Sequence, residues 1–99
     1  MIVAFSVSPL GAGDSVHDAV AAAVRVVRDS GLPNRTSSMF TEIEGEWNEV
    51  FEVVKRAAEA VGAFAPRVSL VLKADVRPGH TGELAGKLDR LERALADGL

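Results

Sequence analysis

The stretch that decides the fold is residues 39–47, which read MFTEIEGEW. Polar and apolar side chains alternate along it, which predicts a short strand with Glu42 and Glu44 on one face of a sheet. Gly45 ends this strand, and the acidic segment from Glu46 onward predicts the start of a helix. Carboxylates on an inner strand indicate that this face meets solvent, a ligand or another subunit.

The same patterns continue outward in both directions along the chain. Strand patterns cover residues 2–8, 34–38 and 68–76, and helical patterns follow near residues 16, 46 and 81. The order β-α-β-β-α-β-α predicts an α+β fold, a ferredoxin-like βαββαβ sandwich with an extra C-terminal helix. Its four-stranded antiparallel sheet would have the first strand between the third and the fourth. We expect residues 1–99 to form one domain.

Helical spacing also predicts which side chains enter the core. The first helix carries an apolar stripe, and Trp47 continues the apolar stripe of the second helix, so both stripes are expected to pack against the sheet. Thr81 is expected to cap the final helix, whose leucines recur at helical spacing. The first stripe consists of Val16, Val20, Ala23, Val24 and Val27, and the last of Leu84, Leu88, Leu91 and Leu95.

Composition excludes several classes of function. The net charge is −3 and the basic residues are scattered, which argues against a nucleic-acid partner. The chain contains no cysteine, so disulfides and thiolate chemistry are excluded. No apolar run is long enough to cross a bilayer, and no signal segment is visible at the start. We therefore expect a cytoplasmic protein with no nucleic-acid or membrane partner.

Three segments together resemble the small YkoF-like thiamine-binding family. They are residues 5–11 (FSVSPLG), 41–47 (TEIEGEW) and 69–79 (SLVLKADVRPG), in the family's order and spacing. The resemblance implies a ferredoxin-like fold and homo-oligomers, often tetramers, formed by packing sheets. It also implies binding of thiamine or its hydroxymethylpyrimidine part, without a demonstrated activity in many single-domain members.

Candidate ligand-binding residues follow from the chemistry of such a ligand and from the predicted open sheet face. The exocyclic amine of an aminopyrimidine needs an acceptor, its ring nitrogens need donors, and a thiazolium cation favours carboxylates or aromatic rings. Hydroxyl and charged side chains on or beside that face can fill these roles. The predicted ligand-binding residues are Ser6, Ser8, Ser37, Ser38, Thr41, Glu42, Glu44, Lys73 and Asp75.

Simpler structural explanations remain open for several of these residues. Both glutamates could be solvated or could pair with Lys73 across the sheet. Lys73 with Asp75 is more typical of an ion pair, either within the sheet or between subunits. The apolar residues at 39–40 suit either a subunit contact or the lip of a pocket. We expect no metal site, because His17 and His80 have no second ligand at suitable spacing, and no cofactor.

Three hypotheses about function remain. The first is non-catalytic binding of thiamine or a related hydroxymethylpyrimidine by a homo-oligomer, tetramer before dimer. The second is a small ferredoxin-like enzyme of the isomerase or monooxygenase type, with its pocket on the open sheet face. The third is a structural assembly module. Hydroxyls and carboxylates on a sheet suit recognition better than catalysis, so no catalytic residue is predicted.

Overall fold

The structure is a computed structural model and describes residues 1–98. Its elements follow the predicted order, and the α+β, ferredoxin-like fold with an additional C-terminal helix is confirmed. The elements are β1 (Ile2–Leu10), a 3-10 turn (Gly13–Ser15), α1 (Val16–Asp29), β2 (Asn34–Thr36), β3 (Thr41–Glu44), α2 (Trp47–Gly62), β4 (Arg67–Asp75) and α3 (Glu83–Ala96).

The sheet has the strand order β2-β3-β1-β4, and all of its neighbouring strands are antiparallel. β1 therefore lies between the third and fourth strands, as predicted. It pairs with β4 along all nine of its residues, but it pairs with β3 only through Ile2–Phe5. The second half of β1 consequently has a neighbouring strand on one edge only.

Alternation along β1 and β3 decides which face of the sheet enters the core. Val3 lies opposite Ile43, and both side chains are fully buried beneath α1 and α2. Glu42 and Glu44 lie on the opposite face, as the alternation predicts. The core is composed of small aliphatic side chains and one aromatic ring: Val3, Phe5, Val7, Ala19, Ala23, Val27, Ile43, Val50, Val53, Val54, Ala57 and Val61.

Two predictions about the helices were wrong. Trp47 is not in the core: 54% of its surface is exposed, and its ring stacks on Phe51 at a centroid distance of 5.4 Å. On α1, Ala19 is buried whereas Val16 and Val20 are exposed. Each helix has an apolar surface wider than the strip that faces the sheet and the other helix, and the periodicity alone does not show where that strip begins.

The third helix lies on the face opposite α1 and α2. It begins against the end of β3, where Leu84 and Leu88 lie above Ile2 and Ala4. Further along α3, Leu91 and Leu95 are exposed. The second half of the predicted leucine stripe therefore does not pack against other described residues. The sheet face that was expected to remain open is thus partly covered by α3.

The burial pattern of α1 predicts that valine-to-alanine substitutions at two positions of this helix differ in their effect on stability. Val27→Ala should lower the free energy of unfolding by about 1.5–3 kcal/mol, because Val27 is fully buried. Val20→Ala should change it by less than about 0.5 kcal/mol, because 41% of Val20 is exposed. Urea denaturation of both variants measures the difference. Equal losses would mean that α1 presents its predicted stripe to the core.

Candidate functional site

One cavity opens beside the second half of β1, and we call it the edge cavity. Its volume is about 210 Å³, and it lies between β1, α1 and the β2–β3 hairpin. Hydroxyl side chains form its polar wall, and none of its lining residues is charged. The hydroxyl residues are Ser6, Ser8, Thr36, Ser37, Ser38 and Thr41; the apolar wall includes Phe5, Val20, Val24, Met39 and Phe40.

The edge cavity exists because β3 is shorter than β1. β3 begins at Thr41, opposite Phe5, so residues 6–10 of β1 have no strand on the β3 side within the described chain. In an antiparallel sheet, alternate residues direct their backbone N–H and C=O groups to each edge of the strand. This part of β1 therefore presents donors and acceptors beside the cavity, with fixed positions because β4 holds the other edge.

Hydrogen bonds within the hairpin shape the outer wall of the edge cavity. The backbone N–H and the hydroxyl of Ser37 donate to the carbonyl of Phe40, at 2.9 and 3.1 Å. The N–H of Phe40 donates back to the Ser37 hydroxyl at 3.3 Å. Ser37 is thus used mainly to fold the tip, and this fold places Phe40 at the cavity wall while Met39 remains largely exposed.

A second cavity lies on the other side of the sheet, between the sheet and α3, and we call it the helix cavity. Its volume is about 260 Å³. Its polar wall is charged rather than hydroxylic, and its apolar wall comes from both the sheet and the helix. The lining residues are Ile2, Ala4, Glu42, Lys73, Asp75, Glu83, Leu84, Lys87 and Leu88.

Most of the charges in the helix cavity are paired with each other or with neighbours. Lys87 forms an ion pair with Asp75, so within the described chain the expected ion pair of Asp75 with Lys73 inside the sheet is not formed. The hydrogen bond from Lys87 lowers the pKa of Asp75, and the hydrogen bond from Arg90 lowers the pKa of Glu83. Both carboxylates thus remain ionised further into the acid range, and both are already engaged within the chain.

Glu44 holds the start of α3 against the sheet. Its carboxylate accepts the backbone N–H of Glu83 at 2.8 Å and that of Leu84 at 3.1 Å. The expected cap, Thr81, does not have this role, since the residue before the helix is Gly82 in a left-handed conformation and no side chain next to it caps the helix. A negative charge at a helix N-terminus also interacts favourably with the helix dipole.

The structure divides the nine predicted site residues into three groups. Five of them line the edge cavity, three line the helix cavity, and Glu44 is committed to α3. Thr36 was not among the predicted ligand-binding residues. It lies directly opposite Thr41 in the hairpin, and the polar character of residues 34–38 was the signal that could have included it. The apolar wall from α1 was also missed, because Val20 was assigned to the core. His17 and His80 lie outside both cavities.

The structure is thus a small ferredoxin-like domain with one cavity on each side of its sheet. A family model described as "Thiamine-binding protein" matches residues 3–92. The chain therefore belongs to the thiamine-binding protein family, in agreement with the resemblance seen in the sequence.

Related proteins and structures agree with this assignment. The UPF0045 protein Mb1933 of Mycobacterium bovis is 58% identical over 96 residues, which cover 96% of this chain and 94% of the relative. The structure of protein MJ1052 from Methanocaldococcus jannaschii has a TM-score of 0.82 and 31% identity, covering 92% of this chain and 94% of that one.

A Thermotoga maritima structure carries a provisional assignment to thiamine biosynthesis or salvage. It matches with a TM-score of 0.75 and 26% identity, covering 89% of this chain and 96% of that one.

Within residues 1–98, none of the helices is both long enough and apolar enough to span a lipid bilayer.

The contact between Glu44 and α3 predicts a local loss of order in Glu44→Gln. Hydrogen bonds to a charged acceptor contribute about 1.5–3 kcal/mol, and the amide can replace only one acceptor oxygen. The amides of Glu83 and Leu84 should therefore exchange with deuterium at least tenfold faster. Hydrogen exchange followed by mass spectrometry measures this rate.

The matched control is Glu42→Gln, two residues earlier on the same face of β3. This variant should leave the exchange of residues 83–84 unchanged, because Glu42 does not accept their N–H groups. Equal acceleration in both variants would show that the negative charge of the face, rather than the cap, holds α3.

Proposed function

We propose that this chain, acting as one domain of residues 1–99, binds thiamine or a related hydroxymethylpyrimidine without catalysis, as a cytoplasmic homo-oligomer. The observation that carries the ligand proposal is the edge cavity. In this cavity a stretch of β1 backbone that has no neighbouring strand on its β3 side within the described chain, six hydroxyl side chains and two phenylalanine rings surround one small space.

An aminopyrimidine matches this combination of groups. The ring has flat apolar faces, which suit a wall formed by Val20, Val24 and Phe40. Its edge carries an amine donor and ring-nitrogen acceptors in one plane, and an extended strand presents N–H and C=O groups in a plane as well. A volume of about 210 Å³ is below the roughly 300–1,000 Å³ typical of drug-sized ligands, and therefore favours a single ring.

The absence of charge among the lining residues of the edge cavity indicates which part of thiamine it would hold. A cation without a carboxylate partner gains little from a hydroxyl-lined wall, whereas burying it carries a desolvation cost. The neutral pyrimidine would therefore lie inside, and the thiazolium would point toward solvent. Hydroxymethylpyrimidine and thiamine should then bind with affinities within about tenfold of each other.

The comparisons support the same class of ligand. The matching family is described as a thiamine-binding protein, and the related Thermotoga maritima structure carries its provisional assignment to thiamine biosynthesis or salvage. The helix cavity is the less suitable alternative, because its Asp75 and Lys87 neutralise each other and Glu83 is engaged by Arg90.

Calorimetry on two variants distinguishes the cavities. Thr41→Val removes a hydroxyl from the edge cavity with little change of shape, and should weaken binding of both ligands by about threefold to tenfold, the equivalent of one hydrogen bond. Thr81→Val, the same change at an exposed position outside both cavities, should leave the affinity unchanged.

Glu42→Gln tests the alternative cavity in the same assay. The affinity of this variant should stay within twofold of the wild-type affinity, because Glu42 lines only the helix cavity. A tenfold loss in Glu42→Gln together with wild-type affinity in Thr41→Val would place the ligand under α3. Absence of binding by thiamine, its phosphates and hydroxymethylpyrimidine would remove the ligand proposal.

Exposed apolar side chains support self-association. Large apolar residues on β4, on the hairpin tip and along α3 remain in contact with solvent in the single chain, Met39 and Val71 among the most exposed. Contiguous apolar surface on a small protein is typical of subunit contacts. Light scattering at micromolar concentration should give the mass of a dimer or a tetramer, and the mass of a single chain would contradict this part of the proposal.

A further inference from the structure

The helix cavity has no role in the proposed function. It lies between the sheet and the start of α3, and its volume is about 260 Å³. Ala4 and Ile2 of β1 form its apolar floor, and Leu84 and Leu88 of α3 form its apolar roof. A concave space with apolar walls and a few polar groups is typical of a small-molecule site.

The roof of this cavity is attached to the sheet at two points. Glu44 accepts the backbone N–H groups of Glu83 and Leu84, at 2.8 and 3.1 Å. One turn further along α3, Lys87 forms its ion pair with Asp75 of β4. The helix is therefore held over the sheet in the chain without ligand, and binding would not have to bear the cost of ordering it.

Two charged side chains of the helix cavity are not engaged by other described residues. Within residues 1–98, Glu42 and Lys73 form no side-chain hydrogen bond and no ion pair, whereas the other charged lining residues do. Arg35 lies opposite Glu42 on β2, but it does not line the cavity and is not paired with Glu42 in this part of the chain.

The register of the sheet places these two side chains on either side of one small residue. Glu42 of β3 and Lys73 of β4 both lie opposite Ala4 of β1. Their side chains therefore leave the same face of the sheet, with Cα atoms two strand spacings apart, about 9.5 Å. The alanine methyl group fills little of the space between them, so a ligand there would lie between a carboxylate and an ammonium group.

We propose that the helix cavity binds an aliphatic α-amino acid such as leucine. The ammonium group of the ligand would donate to Glu42, and its carboxylate would accept from Lys73. Its side chain would lie against Ile2 and the two leucines of the roof. An α-amino acid carries both of its charges on one carbon, which matches two opposite charges that flank a single alanine. This site goes beyond the proposed function and does not depend on it.

The balance of charges favours a zwitterion over a simple ion. The charged lining residues and the arginine that pairs with them comprise three carboxylates (Glu42, Asp75, Glu83) and three cations (Lys73, Lys87, Arg90). Their formal charges therefore cancel. A ligand with a single charge would leave one of the two unengaged groups without a partner as the cavity is desolvated, whereas a zwitterion supplies a partner to both.

Calorimetry with three ligands of similar shape tests the pairing of charges. Leucine carries both charges, leucine amide lacks the carboxylate, and isocaproic acid lacks the ammonium group. Leucine should bind at least about tenfold more tightly than either analogue, because each charged group makes its own charge-assisted contact. Equal affinity for all three ligands overturns the proposal. Absence of binding by leucine, isoleucine and valine at millimolar concentration also overturns it.

Two variants assign the charged groups in the same assay. Glu42→Gln should weaken leucine binding at least about tenfold and remove the advantage of leucine over isocaproic acid. Lys73→Met should likewise remove the advantage of leucine over leucine amide. Glu92→Gln is the matched control, since Glu92 is exposed on α3 and lines neither cavity. Its leucine affinity should stay within twofold of the wild-type affinity.

Unchanged leucine binding in both Glu42→Gln and Lys73→Met overturns the proposal, and so does an equal loss in Glu92→Gln. Neither Glu42 nor Lys73 is fully buried or hydrogen-bonded through its side chain within residues 1–98, so these variants should fold. Circular dichroism of each variant checks this directly.

Thr41→Val separates this proposal from the proposed function, because the two cavities share no lining residue. This variant should weaken thiamine binding and leave leucine binding unchanged. Loss of leucine binding in Thr41→Val together with wild-type affinity in Glu42→Gln would place the amino acid in the edge cavity and overturn the proposal. A chain that binds thiamine but not leucine contradicts only the amino-acid site, and the reverse result contradicts only the thiamine proposal.

Discussion

The unequal pairing of β1 is the constraint on which the rest of the structure depends. One edge of this strand is occupied by β4 along nine residues, whereas the other is occupied by β3 along only four. The paired half carries Val3 and Phe5 into the core. The half without a β3 neighbour leaves backbone donors and acceptors beside the hairpin, and the edge cavity forms there. Core and candidate site thus arise from the same strand.

The two carboxylates of β3 differ in their contacts, although they belong to the same motif. Glu42 and Glu44 are two residues apart on one face, yet only Glu44 meets the N-terminus of α3. Its charge satisfies two backbone N–H groups that the helix itself leaves without acceptors. Glu44, which was predicted to accept a hydrogen bond from a ligand, thus caps α3 in this structure. The hydroxyl residues that line the edge cavity are the candidates for ligand recognition under the proposed function.

Several large apolar side chains of the single chain are exposed outside its core. Among residues 1–98, β4 has a neighbouring strand on one edge only, and the second half of α3 presents Leu91 and Leu95 to solvent. A chain of 99 residues buries a limited fraction of its surface, and covering the remaining apolar area would favour the self-association proposed above.

The sequence by itself determined the order of the elements, the antiparallel sheet with β1 inside it, and the family. The order of the elements follows from alternation, helical spacing and turn residues, which are local properties. The place of β1 follows from the ferredoxin-like topology that this order predicts, and the family follows from the resemblance carried by residues 5–11, 41–47 and 69–79. Only the tertiary structure decided that Trp47 is exposed, that Asp75 pairs with Lys87 and that Glu44 caps α3. Residues 44 and 83 are 39 positions apart, and their contact depends on where α3 crosses the sheet, which local periodicity does not encode.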